Sequence, residues 1–255
     1  MQVGVTSLTV TISINIRENQ ITQASPAAVF QRLYGAYCLV LFLGLGMTAL
    51  AVSLFLPSLR ARRQAAGAFS RAFLQAAGIP LSVQGMEQLP RVPCVVVANH
   101  ASYIDGLVAA AALPPDFAFV IKREMVRVPL ASLLLRRLGS AFVDRFDRHK
   151  GASDARRVWK LAATGQSLVF FPEGTFDSTR QIGKFLGGAF ATAERSQMQI
   201  VAVAIHGTRD VLPNGSLRIR RGPIRFEILG VLESQGARQR SRELIAQAVG
   251  EPLAP

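Results

Sequence analysis

The segment Asn99-His100-Ala101-Ser102-Tyr103-Ile104-Asp105 carries the residues of this 255-residue chain best suited to proton transfer. An imidazole with an ordinary pKa of about 6.5 exchanges protons near neutral pH, which suits His100 to general-base work. Asp105 stands five residues on, where a turn brings its carboxylate to one ring nitrogen. A carboxylate there fixes the tautomer and stabilises the imidazolium. Ser102 and Asp105 also fit a capping box, the serine as N-cap and the acid three positions later. The two roles are compatible. The chain has no Gly-x-Ser-x-Gly elbow, no His-Glu-x-x-His pair and no Walker loop. A base with an orienting acid but no protein nucleophile calls for a substrate that brings its own, and a hydroxyl group is the natural choice.

Two further segments can bind rather than react. In Phe171-Pro172-Glu173-Gly174-Thr175, Pro172 ends strand pairing and Gly174 lets backbone come close to a ligand. Glu173 can accept a hydrogen bond from a substrate hydroxyl. In Gly139-Ser140-Ala141-Phe142-Val143-Asp144-Arg145, with Arg148 one helical turn beyond, two arginines follow a short apolar run. Guanidinium groups bind phosphate oxygens bidentately, so this pair reads as a phosphate clamp.

The elements around these segments read as an α/β domain with a mainly parallel, mixed sheet flanked by helices. Val92–Ala98, Phe117–Ile121, Ser167–Phe171 and Ile200–Ile205 are short unbroken apolar runs, as expected for strands buried on both faces. The intervening stretches Ile104–Leu113, Leu130–Leu138, Asp154–Thr164 and Gly183–Arg195 read as helices. Leu217–Arg220 and Ile224–Leu229 flank Arg221-Gly222-Pro223 and read as a hairpin or a pair of edge strands. His100 and Glu173 both follow a predicted strand, at the carboxyl end where open α/β sheets place their sites.

Ahead of this domain, Leu33–Leu59 runs without a charged residue. About 20 apolar residues span a bilayer core, so the segment predicts a membrane helix. It is too long and starts too late for a secretory signal, and reads as a retained anchor. Arg17 and Arg32 precede it, whereas Arg60, Arg62, Arg63 and Arg71 follow. The positive-inside rule then puts the rest of the chain in the cytoplasm. The expected organisation is a loose tail at 1–25, an anchor helix at 26–59, an amphipathic membrane-surface helix and linker at 60–84, and the α/β domain at 85–255.

Composition trims the alternatives. Half the residues are hydrophobic and 18% charged, which excludes a disordered chain. Two cysteines and three histidines leave no disulfide scaffold, zinc module or multi-histidine metal site. The net charge of +13 fits nucleic acid, or anionic lipid and phosphorylated substrate. One Trp and three Tyr offer little stacking surface for nucleic acid, and the charge is spread along the chain. No nucleic-acid partner is expected. A non-catalytic membrane scaffold is the other rival, against which the intact His100, Asp105 and Glu173 count.

Taken together, the segments resemble the membrane-bound glycerolipid acyltransferases, the family of bacterial 1-acylglycerol-3-phosphate acyltransferases. NHASYID is similar to the family's Asn-His-x-x-x-x-Asp block, GSAFVDR to its second block and FPEGT to its third. IVAVAI, residues 200–205, is similar to the fourth. Their order and spacing agree across roughly residues 85 to 232. The resemblance implies His100 as base with Asp105 as partner, Arg145 on the substrate phosphate, and Glu173, Gly174 and Thr175 at the glycerol head group. It implies acyl transfer from acyl-CoA or acyl-carrier protein to the sn-2 hydroxyl of lysophosphatidate, with no cofactor and no metal. The acceptor is a membrane lipid. Three positions depart from the family pattern. Phe176 stands where arginine often follows the threonine, Lys184 precedes Phe185 where the family has Phe-Lys-x-Gly, and Ala202 replaces a usual proline. Arg180 and Lys184 are the candidates to replace the missing phosphate-binding charge. The first two changes weaken the case for lysophosphatidate more than that for acyl transfer, and keep another lysolipid, such as lyso-ornithine lipid, open.

Overall fold

The computed structural model describes residues 26–144, 148–216 and 218–255; the expected tail at 1–25 lies outside them. Helix α1 (Pro26–Phe55) takes up most of the uncharged run and is, among the described residues, the one helix long and apolar enough to cross a membrane. It stops at Phe55, short of the expected residue 59. Pro57 cannot continue a helix, and the Ser58 hydroxyl accepts the Ala61 amide at 3.1 Å as the N-cap of α2 (Leu59–Ala76).

The second helix folds back along the first. The Tyr34 and Tyr37 hydroxyls donate to the Ala77 and Ala76 carbonyls at 2.7 and 3.0 Å. Tyr34, Cys38, Leu50 and Ser53 are buried, whereas Phe30, Leu33, Val40 and Phe55 are exposed. Helix α2 is more than a surface element. A Cβ on Gly67 would lie 2.8 Å from the Ala110 carbonyl oxygen, so glycine permits close packing on the next helix. Arg63 is buried and donates to Leu138 O, Pro115 O and Gln166 Oε1. Burial pulls its pKa down to about 10.

Among the described residues, seven strands form one sheet: β1 (Leu81–Gln84), β2 (Cys94–Ala98), β3 (Phe117–Lys122), β4 (Ala141–Val143), β5 (Ser167–Phe170), β6 (Gln199–His206) and β7 (Ile224–Leu232), in the order β1-β7-β6-β2-β5-β3-β4. Neighbours from β6 through β4 pair in parallel. Strand β7 is antiparallel to β6, with a bulge at Ala202/Val203, and β1 is parallel to β7. The helices α3 (Asp105–Ala112), α4 (Pro129–Arg137), α5 (Arg148–Ala163), α6 (Gly188–Arg195), α7 (Thr208–Val211) and α8 (Ala237–Val249) complete the domain. One core joins Phe73, Leu74 and Val108 to Val96, Val203 and Phe226. The other joins Val158, Phe190 and Ile245 to Val97, Leu168 and Ile200. Central strands buried on both sides explain the unbroken apolar runs.

Two expectations are corrected. Strand β7 is no edge strand: β6 and β1 occupy its two sides, so no ladder position is left for residues 218–220 as a hairpin partner, and Leu217 lies outside the described residues. Arg220 instead donates its amide to Val211 O at 2.7 Å. The edge is β1, which lies inside the stretch read as a linker at 60–84.

Candidate active site

Strands β2, β5 and β6 run parallel side by side, so their carboxyl ends present Asn99-His100, Phe171-Pro172-Glu173 and His206 along one edge. Asn99 continues the pairing with its side chain. Its Nδ2 donates to Ile205 O at 2.9 Å, and its Oδ1 accepts the Ile205 amide at 2.7 Å. This fixes the point at which the chain leaves β2, and His100 follows directly.

The turn after His100 closes on a single oxygen. Asp105 Oδ2 lies 2.8 Å from His100 Nδ1 and accepts the Ala101 and Ser102 amides at 2.7 and 2.8 Å. Asp105 is fully buried, while the His100 side chain keeps 20% exposure. The acid is thus the first residue of α3, the reciprocal half of a capping box, and the histidine's partner at once. The serine half of the box is altered: the Ser102 hydroxyl donates to Leu212 O at 2.7 Å and accepts the Ile104 amide at 3.4 Å, while the Asp105 amide goes to Ser102 O. Asp105 Oδ1 is buried with no hydrogen-bond partner among the described residues. With Nδ1 engaged, Nε2 of His100 has no partner among the described residues. The pair therefore supplies one oriented, accessible proton acceptor.

Glu173 is a bolt between the His100 backbone and the following loop. Its Oε1 accepts the His100 amide and its Oε2 the Gly183 amide, both at 2.7 Å. Burial pushes its carboxyl above the ordinary value, against the pull of those two donors. Gly174 turns the chain at φ +79°, and Thr175 is exposed beyond it. The loop then crosses the histidine. Phe176 meets the His100 ring edge-on at 4.5 Å, and Phe171 stacks on it at 4.7 Å. Tyr103 packs against Phe176 at 4.8 Å. Aromatic contacts on two sides of the imidazole limit its rotation.

The expected binding residues divide. His100, Asp105, Glu173 and Gly174 come together. Arg180 is exposed and paired with Asp210 at 2.6 Å, across from the end of β6. Lys184 is exposed next to Gly183, the residue tied to Glu173. Arg145 lies outside the described residues, although its neighbour Asp144 is held by its amide to Asp154 Oδ2 at 2.7 Å. The aromatic clamp of Phe171, Phe176 and Tyr103 has no signal in local pattern. Nor has Arg242, which binds the carbonyls of Ile182, Gly183 and Ala254 and so fixes the far end of the loop.

The Acyltransferase family model matches residues 80–206, which run from just ahead of β1 to the end of β6. A 1-acyl-sn-glycerol-3-phosphate acyltransferase of Brassica napus (BAT2, chloroplastic) is 31% identical over 136 residues, 52% of this chain and 39% of that protein. The lyso-ornithine lipid O-acyltransferase of Pseudomonas aeruginosa is 29% identical over 180 residues, 63% of this chain and 67% of that one. The crystal structure of the 1-acyl-sn-glycerophosphate acyltransferase PlsC of Thermotoga maritima superposes with a TM-score of 0.71 at 21% identity, covering 87% of this chain and 94% of that one. It has the same fold. A mainly parallel sheet flanked by helices is thus the shared class. The chain belongs to the glycerolipid acyltransferase family. It spans about two fifths of the length of the Brassica relative it matches.

Proposed function

We propose that the chain is an O-acyltransferase that moves a fatty acyl group from acyl-CoA or acyl-carrier protein to the sn-2 hydroxyl of lysophosphatidate, giving phosphatidate. One observation carries this reading: Asp105 Oδ2 holds His100 Nδ1 at 2.8 Å and leaves Nε2 unengaged at the carboxyl edge of the sheet. His100 Nε2 takes the hydroxyl proton as the oxygen attacks the thioester carbonyl. The new C–O bond forms, the C–S bond breaks, and the imidazolium returns the proton to the leaving thiolate. Base assistance of this kind contributes about 10²–10⁴-fold. The acyl donor is a co-substrate, and the reading calls for no resident cofactor or metal. The names of the Brassica and Thermotoga relatives support lysophosphatidate as acceptor.

A second acceptor is favoured by Phe176, an uncharged ring on His100 where the family pattern often has arginine. A lysolipid with another head group, lyso-ornithine lipid being one, fits that change, and the name of the Pseudomonas relative supports it.

The anchor reading is that α1 crosses the membrane once, with the domain on the cytoplasmic side where Arg60, Arg62, Arg63 and Arg71 lie. A full crossing must give up the Tyr34–Ala77 and Tyr37–Ala76 hydrogen bonds. Helix α1 lying in one leaflet beside α2 keeps them, and is the second reading. A reporter joined ahead of residue 26 separates the two, being outside the membrane after a crossing and cytoplasmic otherwise.

The test of activity is thiol release with acyl-CoA and with acyl-carrier protein, across a panel of lysolipids. Transfer to lysophosphatidate that disappears in His100→Ala supports the reading. Transfer retained at wild-type turnover in that variant overturns it.

A further inference from the structure

We propose that α4 is a second membrane-docking element, seated in the same lipid surface as α1 and drawn to anionic lipid by its flanking arginines. The inference rests on α1 engaging a bilayer and adds a surface that the sequence does not mark as membrane-active.

The stripe is short and specific. Leu130 and Leu133, three residues apart and so on one face of the helix, are 55% and 42% exposed, and Val128 just ahead is 48% exposed. Arg127 and Arg136 are exposed three residues before and after the leucine pair. Two leucines held in water between two arginines make a poor solvent face and a good interfacial one.

Continuity with α1 supplies the occupant. Arg137, the last residue of α4, donates through Nε and Nη2 to Ser53 O at 3.2 and 2.5 Å, and through Nη2 to Leu54 O at 3.3 Å. It closes the carboxyl end of α1, where a cation is favourable against the helix dipole. Beside that junction Leu54 is 53% and Phe55 86% exposed. Arg62 adds donors to Leu56 O, Pro57 O and Arg137 O. The end of α4 is thus hydrogen-bonded to the apolar helix that meets the membrane. The charge argues for the same partner. Lys and Arg near an anionic leaflet are drawn by its surface potential, and the effect fades within a Debye length.

Flotation of the full chain with vesicles tests the proposal. Leu130→Gln/Leu133→Gln, which keeps good helix formers at exposed positions, is expected to weaken binding roughly ten- to thirty-fold. Arg127→Gln/Arg136→Gln should weaken binding to phosphatidylglycerol vesicles at low salt and leave phosphatidylcholine vesicles unaffected. Val40→Gln/Leu43→Gln on α1 is the companion variant. Loss of flotation in that variant with none in the α4 variants overturns the α4 proposal alone. No loss in the α1 variant overturns the α1 reading on which it rests. In Leu130→Trp, brominated phosphatidylcholine should quench the new fluorophore. The wild-type chain, whose single tryptophan is Trp159 on α5 at the opposite face of the sheet, serves as the unquenched control. Emission from Leu130→Trp that brominated lipid leaves unchanged, or a change of oligomeric state in the leucine variant, would mean that protein rather than lipid covers the stripe.

Discussion

Asp105→Asn is the most informative single change, because one oxygen of this side chain serves three donors. Ala101 and Ser102 present backbone N–H groups to Oδ2, and only a carbonyl oxygen can accept them. An asparagine must therefore turn its oxygen to that position and its NH₂ to the place of Oδ1. There it finds no partner among the described residues. The His100 Nδ1–H···O contact survives, so the tautomer is kept. What is lost is charge. A carboxylate acting on the imidazolium at roughly 4 Å is worth about 4 kcal/mol at an effective dielectric of about 20, which is an upper bound here. The expected loss in kcat is therefore about 10²–10³-fold, below the roughly 10⁴-fold that follows when an amide selects the wrong tautomer. Stability falls too. Charge-assisted bonds become neutral ones and a buried NH₂ is left unpaired, together costing about 2–4 kcal/mol after relief of the buried charge. For a chain of this size that is a drop of roughly 5–15 °C in Tm. Thiol-release kinetics and thermal unfolding of one preparation give both numbers. Wild-type kcat with a lowered Tm would reduce Asp105 to a cap. A lowered kcat with an unchanged Tm would refute the three-donor account.

His100→Ala should lower kcat by about 10²–10⁴-fold with a small change in Tm, since Asp105 keeps both backbone donors; steady-state rates beside a melting curve check this. Lys184→Ala should raise KM for lysophosphatidate about fivefold, one exposed phosphate contact being worth about 1 kcal/mol. Arg180→Ala should raise it less, because Asp210 already neutralises that guanidinium. Equal KM values for wild type and both variants would move the phosphate elsewhere. Asp154 sets an acid limb. Burial pushes its carboxyl up, but hydrogen bonds from Arg123 and the Asp144 amide outweigh this and hold it below the ordinary value. Its contribution is then full above about pH 4 and is lost as pH falls through the lower folded value. Asp154→Asn should flatten that part of a Tm-against-pH curve.

The parts of the fold legible in sequence are those where burial alone decides. Strands β2, β5 and β6 are buried on both faces, so an apolar run suffices to mark them. Strand β1, Leu-Ser-Val-Gln at the sheet edge, is largely exposed and has no such run. Its membership depends on pairing with β7, about 140 residues away. The expected hairpin fails for the same reason. Residues 218–220 sit close to β7 in sequence, yet β6 and β1 already hold both of its edges.

The site divides along the same line. His100 and Asp105 are five residues apart, so a turn explains their meeting. Glu173 reaches the His100 amide across 73 residues, and its role as a bolt follows only once β5 lies beside β2. Phe176 reads in sequence as a missing arginine, whereas in the fold it forms one wall of the imidazole clamp. The two sequence readings of Asp105, helix cap and catalytic partner, are not rivals in energy. The donors that cap the turn are the same ones that aim Oδ2 at Nδ1. A carboxylate held by two backbone amides cannot rotate away from the histidine without leaving both unpaired in a buried turn, at about 1–3 kcal/mol each. The local rule that starts α3 is thus also what orients the His100 ring.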